Sequence, residues 1–245
     1  MRALLLSAGL GTRLRPITEE TPKCLVKING KPLIDYWISI LMGSGVVDRI
    51  LINTHYLPEK VRSHIAESKW LDSVDVVHEE SLLGTGGTLL KNSDFIGSEN
   101  FLVAHADNLT WFDVEEFREF HVNRPNPLQT IATMMTFDTD NPCECGIVER
   151  DIAGLVVGFH EKVSSPPGRC ANGAVYIFEP EILNILKEFD QKVIDLSNDV
   201  LPHLMNRIYT YHNTCYLRDI GNIESLRIAN EDILRIPELC SINEL

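Results

Sequence analysis

A glycine-rich segment directly after a short apolar run constrains the fold of this chain more than any other feature. The run at residues 3–7 is typical of a buried first strand, and it leads into the loop SAGLGTRLRP. Glycines let a backbone approach a ligand closely, and consecutive N–H groups can hold a phosphate. Arg13 and Lys23 add two cations, and a guanidinium suits bidentate phosphate contact. The segment therefore predicts a phosphate-binding loop at the carboxyl end of a strand.

Two familiar phosphate-binding loops do not fit this segment. A dinucleotide-binding fingerprint requires a third glycine where this chain has Leu14. The acidic residue that such a fold places after the next strand is also missing, because the apolar run at 49–53 ends in Asn53 and Thr54. A P-loop requires Gly-Lys-Ser/Thr, which the segment lacks. A dehydrogenase and a P-loop NTPase are disfavoured, and a plain glycine turn remains the structural alternative.

The order of apolar patterns predicts an α/β fold. The first half alternates strands and helices, and the second half is richer in short strands. Strands are predicted at 3–7, 49–53, 74–78, 100–105, 130–136, 146–149, 154–161, 173–178 and near 209–211, and helices at 32–42, 57–67, 87–92, 180–189 and 223–233. Such alternation implies a Rossmann-like mixed, mostly parallel sheet flanked by helices, with ligands beyond the carboxyl ends of the strands. Without a linker or repeat, we expect a single domain over 1–245.

The composition argues against several classes of partner. The 245 residues carry a formal net charge of −13, which does not favour nucleic acid or an anionic membrane. No apolar stretch is long enough to span a bilayer, and the apolar start is broken by Gly9 and Gly11, unlike a signal peptide. The six cysteines lack zinc-site spacing and are expected to be reduced thiols. We expect a cytoplasmic protein with no nucleic-acid or membrane partner.

The stretch LSAGLGTRLRPITEETPK at residues 6–23 resembles the signature of the sugar-1-phosphate nucleotidyltransferases, and LVKINGKPLI at 25–34 continues the resemblance. The resemblance implies the nucleotide-diphospho-sugar transferase fold with a small sugar-binding lid. It also implies that Arg13 binds the leaving pyrophosphate and that Lys23 lies near the reacting phosphate. The loop residues that would hold the NTP are Leu6, Ala8, Gly9, Gly11 and Thr12.

Asp107 and Asp219 are the candidate metal ligands. Asp107 follows a predicted strand, and a carboxylate at the carboxyl end of a parallel strand suits a cation in the crevice. The resemblance makes Asp107 and Asp219 the two Mg²⁺ ligands, although Ala106 stands where the family has glycine. Because Mg²⁺ needs few carboxylates beside phosphate oxygens, two aspartates and a triphosphate would suffice. Taken singly, each aspartate could instead be a turn or cap residue.

Further segments resemble the base and sugar sites of the same family. In LGTGGT, glycines would let a base lie against the backbone, and unpaired N–H and C=O groups could read its edge. A simple loop into a helix is the alternative. The segments FHEK, CGIVE and ANGAVY resemble the part of the family that binds the sugar phosphate. The implied residues are Gly84, Thr85 and Gly86 for the nucleotide and Gly146, Glu161, Lys162 and Asn172 for the sugar phosphate.

The resemblance implies an enzyme that joins a nucleoside monophosphate from an NTP to a sugar 1-phosphate, with release of pyrophosphate and with Mg²⁺ as cofactor. Arg13, Lys23 and Lys162 would be catalytic. Residues 1–125 would form the nucleotide-binding half and residues 126–245 the sugar-phosphate-binding half. Overall similarity favours GTP and a mannose or heptose 1-phosphate, for NDP-sugar and polysaccharide biosynthesis. The alternatives are a UTP- or dTTP-using enzyme and a non-catalytic NDP-sugar-binding regulator, and homo-oligomerisation stays open.

Overall fold

The computed structural model describes residues 1–236, and helices and strands alternate along its first half. The strands are β1 Arg2–Leu6, β2 Lys27–Ile28, β3 Lys31–Pro32, β4 Arg49–Thr54, β5 Val74–His78, β6 Phe101–His105, β7 Asn108–Trp111, β8 Ala132–Asp138, β9 Gly146–Arg150, β10 Val156–Glu161, β11 Cys170–Phe178, β12 Ile208–His212 and β13 Tyr216–Asp219. The helices are α1 Ile17–Glu20, α2 Leu33–Gly43, α3 Pro58–Ala66, α4 Gly84–Lys91, α5 Ser93–Ile96, α6 Val114–Val122, α7 Ile182–Leu186 and α8 Ile223–Arg235.

The chain forms two compact units, each built from separate stretches of sequence. The first unit comprises Met1–Leu82, His105–Val114 and residues 215–236, and the second comprises Leu83–Ala104 and Glu115–Thr214. Among residues 1–236, no helix has the length and hydropathy that crossing a bilayer requires. The cysteines in that part of the chain form no disulfide bond, and Cys240 lies outside it.

The first unit is built on a parallel sheet formed by β1, β4 and β5. Leu4 pairs with Leu51, and Ile52 pairs with Val76. Strands β1 and β4 are near-continuous apolar runs because a parallel strand is buried on both faces, whereas β5 is buried only at Val74. Helix α2 is buried along most of its length, and its Trp37 is 1% exposed, as expected for a core residue.

A two-stranded antiparallel ribbon of β7 and β13 completes the first unit together with α8. Helix α8 begins with a capping box formed by Asn222 and Ser225, in which each side chain bonds the other residue's backbone N–H. Its buried residues Leu226, Ala229 and Ile233 recur at helical spacing, which matches the amphipathic pattern seen in the sequence.

The second unit is built around strand β11, which pairs antiparallel with β6, β8 and β9. Strand β10 extends this sheet beside β9, and β12 adds a parallel partner to β8. In its core the ring of Phe178 packs against those of Tyr176 and Phe101, with ring centroids 5.2 Å and 6.0 Å away, respectively. Parallel and antiparallel pairings therefore both occur, as the predicted mixed sheet requires.

The element boundaries differ from the sequence-based expectations at a few places. Helix α4 begins at Gly84 rather than at residue 87, so that the LGTGGT segment forms its first turn. Helix α6 and the strands β7 and β13 were not expected from the sequence. The two strands are four residues each and pair across a long sequence separation, so neither shows a run long enough for a periodicity argument.

Candidate functional site

Lys23, Asp107 and Asp219 converge in the first unit. The ammonium Nζ of Lys23 lies 2.7 Å from Asp107 Oδ2 and 3.7 Å from Asp219 Oδ1. The Lys23 side chain is 10% exposed, whereas the two carboxylates are 39% and 56% exposed. A largely buried cation therefore faces two acidic groups that remain open to ligands.

The β7–β13 ribbon explains how two aspartates so distant in sequence come together. In its register Asp219 pairs with Asn108, the residue after Asp107. The N–H of Ile220 also donates to the carbonyl of Asp107 at 3.0 Å. Helix α2 supports strand β7, because Trp37 Nε1 donates to the Asn108 carbonyl at 2.7 Å. The residue pattern does not predict this support, because an apolar helix position such as that of Trp37 is ordinarily only core.

Asp107 is ionised in the folded protein. Burial works against its charge, but Lys23 and His105 outweigh that effect and hold the pKa of Asp107 below its usual value. Lys23 also donates a hydrogen bond to this carboxylate. The site therefore presents a carboxylate, rather than a carboxylic acid, at neutral pH.

The glycine-rich loop lies directly against Lys23. A β-carbon at Gly11, whose φ is +63°, would be 3.2 Å from Lys23 Cβ, and Thr18 Oγ1 donates to the Gly11 carbonyl at 2.7 Å. Leu14, which breaks the dinucleotide fingerprint, is fully buried and anchors the loop. A cavity of about 30 Å³ is lined by Leu6, Ser7, Gly9, Lys23, Cys24, Ala106 and Asp107. The loop and the acidic group thus share one opening in this unit.

Arg13 lies beside the second aspartate. A β-carbon built on Gly221 would be 2.5 Å from Asp219 Oδ2 and 3.0 Å from Arg13 Nη2. A side chain at this point would therefore displace the end of the Asp219 or the Arg13 side chain. The exposed guanidinium of Arg13 is therefore a second cation beside Asp219, in addition to Lys23.

Two residues that sequence reasoning missed hold the start of the loop. Asn53 Oδ1 accepts the N–H of Ser7 at 2.7 Å, and Asn53 Nδ2 donates to Glu79 Oε1 at 3.1 Å. Asn53 and Glu79 are 3% and 1% exposed. The sequence does carry a signal for both residues, because each stands where an apolar run ends, but at Asn53 the pattern by itself indicates only that an acidic residue is missing.

The LGTGGT segment of the second unit is engaged with the chain at 194–196. The N–H groups of Gly86 and Gly87 both donate to the carbonyl of Ile194, at 2.8 and 3.2 Å. The Thr85 hydroxyl accepts the N–H of Leu196 at 2.7 Å. The expectation of unpaired N–H groups is therefore wrong for Gly86 and Gly87. Nucleotide binding by Gly84, Thr85 and Gly86 stays a prediction.

The residues expected to bind the sugar phosphate come together on neighbouring strands of the second unit. Glu161 pairs with Gly146, and Lys162 Nζ lies 3.1 Å from Glu161 Oε1. Lys162 has a φ of +48°, an uncommon conformation for a lysine. Asn172 follows Ala171, which pairs with Ile147, so Asn172 lies beside Gly146.

The polar atoms of Asn172 already bond within the chain. Its Nδ2 donates to the Tyr176 hydroxyl at 2.6 Å, and its Oδ1 accepts the N–H of Ala174 at 2.9 Å. Burial raises the pKa of Tyr176, so this hydroxyl stays protonated. Asn172 thus shapes the bulge in β11, and sugar binding by this residue stays a prediction.

Comparison with known sequences places the chain in one family. The model of the family described as "Nucleotidyl transferase" matches residues 2–236. The chain is 27% identical to a mannose-1-phosphate guanylyltransferase of Mycobacterium tuberculosis, over 95% of this chain and 64% of that protein. It is 28% identical to a glucose-1-phosphate thymidylyltransferase of Streptomyces griseus, over 97% and 67%. A mannose-1-phosphate guanyltransferase of Saccharomyces cerevisiae is 28% identical, over 90% and 61%. The chain thus spans about two thirds or less of the length of these curated relatives.

Comparison with solved structures confirms the predicted fold class. A Bacillus anthracis protein solved with sucrose superposes with a TM-score of 0.83 at 21% identity, over 94% of each chain. HddC of Yersinia pseudotuberculosis, in complex with GMP-PN, superposes with a TM-score of 0.78 at 25% identity, over 95% of this chain and 99% of that one. The α/β fold of the nucleotide-diphospho-sugar transferases therefore extends over nearly the whole chain.

Proposed function

Because the chain belongs to the nucleotidyl transferase family, we propose that it transfers a nucleoside monophosphate from an NTP to a sugar 1-phosphate and releases pyrophosphate. The observation that carries this proposal is the convergence of Lys23, Asp107 and Asp219 beside the glycine-rich loop. A loop of backbone N–H groups, two cations and two carboxylates is the set of groups that phosphoryl chemistry requires.

We propose Mg²⁺ as the cofactor, held by Asp107 and Asp219. The residues fit such an ion, because the Lys23 ammonium already lies against both carboxylates and so marks a position where a positive charge is stabilised. Residues 1–236 contain no cluster of three or more metal-ligating side chains. Two carboxylates with phosphate oxygens suit Mg²⁺, which binds few protein groups. When bound, the ion would neutralise charge on the triphosphate.

The remaining charged side chains account for the chemistry without a covalent intermediate. A sugar phosphate is already largely a dianion at neutral pH, because its second pKa is about 6. Its oxygen can attack the α-phosphorus directly, and the barrier comes from bringing two anions together. Arg13 would stabilise the leaving pyrophosphate, Lys23 the reacting phosphate and Lys162 the sugar phosphate. Positioning of the two substrates supplies much of the remaining rate.

For the base and the sugar we propose GTP and a mannose or heptose 1-phosphate. Two of the three relatives described above are named for mannose 1-phosphate and guanylyl transfer, and the HddC structure holds a guanine nucleotide analogue. The thymidylyltransferase relative supports dTTP and glucose 1-phosphate as the alternative. We expect the reaction to take place in the cytoplasm.

The test is a matrix of GTP, UTP, dTTP and CTP against mannose, heptose and glucose 1-phosphates, read by pyrophosphate release. We expect GTP with one of the first two sugars to give the highest kcat/KM. Lys23→Ala should lower turnover by about 10²-fold or more, as loss of a preorganised charge does. Lys27→Ala is the matched control, since Lys27 is exposed on β2. Pyrophosphate release in no combination, with NDP-sugar binding retained, would favour the non-catalytic regulator.

A further inference from the structure

A cluster of three polar side chains ties strand β13 to helix α8. The Tyr216 hydroxyl donates to Asp232 Oδ2 at 2.7 Å, and Arg218 Nε donates to the same oxygen at 3.0 Å. Arg218 Nε also lies 3.0 Å from the Tyr216 hydroxyl. Burial raises the pKa of Tyr216, so the phenol keeps the proton that it donates. Together these three residues, Tyr216, Arg218 and Asp232, form what we call the β13 clamp.

The clamp holds the face of β13 that is opposite to Asp219. Successive side chains of a strand point to opposite faces, so Tyr216 and Arg218 share one face and Asp219 points to the other. Asp219 is the last residue of the strand and directly follows Arg218. Any rotation of β13 about its axis would therefore turn the Asp219 carboxylate away from Lys23.

Helix α8 offers the clamp a fixed support. Its first turn is closed by the capping box, and its apolar face is buried. On its other side, Asn230 Oδ1 accepts the N–H of Asn29 at 2.8 Å, which connects the helix to the turn after β2. Asp232 lies two residues further along the helix. It therefore holds Tyr216 and Arg218 from a helix that is anchored independently of β13.

The ribbon needs such a support because β13 has β7 as its only named strand partner among residues 1–236. A two-stranded ribbon is marginally stable and strongly twisted by itself. We propose that Asp232, acting through Tyr216 and Arg218, is a positioning residue that fixes the orientation of Asp219 for cation binding. The proposal rests on the proposed metal role of Asp219.

The test compares Asp232→Ala with Glu231→Ala in the full chain. Both substitutions remove a carboxylate from α8, but Glu231 pairs with Arg227 and Arg235 on the helix surface and not with β13. Mn²⁺ binding without nucleotide would be measured by electron paramagnetic resonance at a temperature at which both variants are fully folded. Asp232→Ala should weaken binding about 3- to 10-fold, less than the 10- to 100-fold typical of a direct partner of a ligand. Glu231→Ala should leave it unchanged.

Tyr216→Phe serves as a milder variant, because it removes the two hydrogen bonds of the hydroxyl, to Asp232 and from Arg218, and keeps the Arg218–Asp232 pair. We expect a loss of Mn²⁺ affinity smaller than that of Asp232→Ala. The metal concentration that gives half-maximal turnover should rise by the same factor. The KM for NTP, measured at saturating metal, should be unchanged. If folded Asp232→Ala binds Mn²⁺ as tightly as the wild type, the proposal is overturned. If Asp232→Ala does not fold, the same result in Tyr216→Phe overturns it. Because Mn²⁺ binding needs no turnover, failure of the proposed reaction would be seen separately in the pyrophosphate assay.

Discussion

Replacement of Lys23 by methionine should tighten metal binding while it abolishes most of the turnover. The Lys23 ammonium lies 2.7 Å from one carboxylate and 3.7 Å from the other, so a bound cation and this ammonium compete for the same two groups. Methionine keeps an unbranched apolar stem in a position that is 10% exposed and removes only the charge. The competing interaction is then lost without a large change in packing.

The size of the effect follows from the exposure of the two carboxylates. Two charges about 4 Å apart interact by about 4 kcal/mol at an effective dielectric constant of about 20. Asp107 and Asp219 are 39% and 56% exposed, so water screens them, and the interaction falls toward about 1 kcal/mol. Since 1.4 kcal/mol corresponds to a factor of ten, Lys23→Met should bind Mn²⁺ about fivefold more tightly.

The assay is Mn²⁺ titration followed by electron paramagnetic resonance, without nucleotide, in the wild type, Lys23→Met and Asp107→Asn. Asp107→Asn should lose affinity, which shows that the titrated site is the one described. Turnover of Lys23→Met should fall by about 10²-fold or more, as expected for a lost charge stabiliser. An affinity equal to or below that of the wild type would refute the competition between ammonium and metal, even if turnover were lost.

Two further substitutions test other parts of the first unit. Gly221→Ala should lower kcat about 10-fold or more while Tm stays near the wild-type value. The reason is that a β-carbon would displace the Asp219 or Arg13 side chain, and a small misplacement can lower the rate by up to about 100-fold. An unchanged kcat would show that the site does not need this space. The hydrogen bond that His64 Nε2 donates to the Asp35 carboxylate raises the pKa of His64 above its usual 6.5. The stabilisation by this pair is therefore fully present below pH 6.5 and is lost as the pH rises through the folded-state pKa. The destabilisation caused by His64→Ala should therefore be larger at pH 5.5 than at pH 9, by about 0.5 kcal/mol in urea unfolding, and equal values would contradict it.

The long apolar patterns were predictable because local sequence and tertiary burial agree there. Strand β5 matches its predicted range, and α2 and α3 differ from theirs by one residue at each end. Pro58 occupies the first turn of α3, as the sequence indicated. Helix α2 is buried along most of its length and α3 along one face, so the periodicity of the sequence carries the information that the fold uses.

The arrangement of the site was less predictable, because it depends on pairing between distant segments. The position of Asp219 beside Asp107 follows from the register of β7 and β13, and four-residue strands leave almost no periodic signal. The support from Trp37 is a single indole N–H bond to a carbonyl on β7. The resemblance to a family selected both aspartates, whereas the physical reason for their proximity is visible only in the folded chain.

The two glycine-rich segments show why composition alone does not identify a binding loop. A β-carbon at Gly9 would meet no atom within 4 Å, so that the backbone there is open to a ligand. A β-carbon at Gly84 would lie 2.3 Å from the Ile194 carbonyl oxygen, so that glycine is required there by the chain's own packing. Both segments would look alike in a search for flexible, phosphate-holding loops. The loop at Gly9 is therefore supported by the surrounding geometry, whereas nucleotide contact at Gly84 rests on the resemblance and requires its own binding measurement.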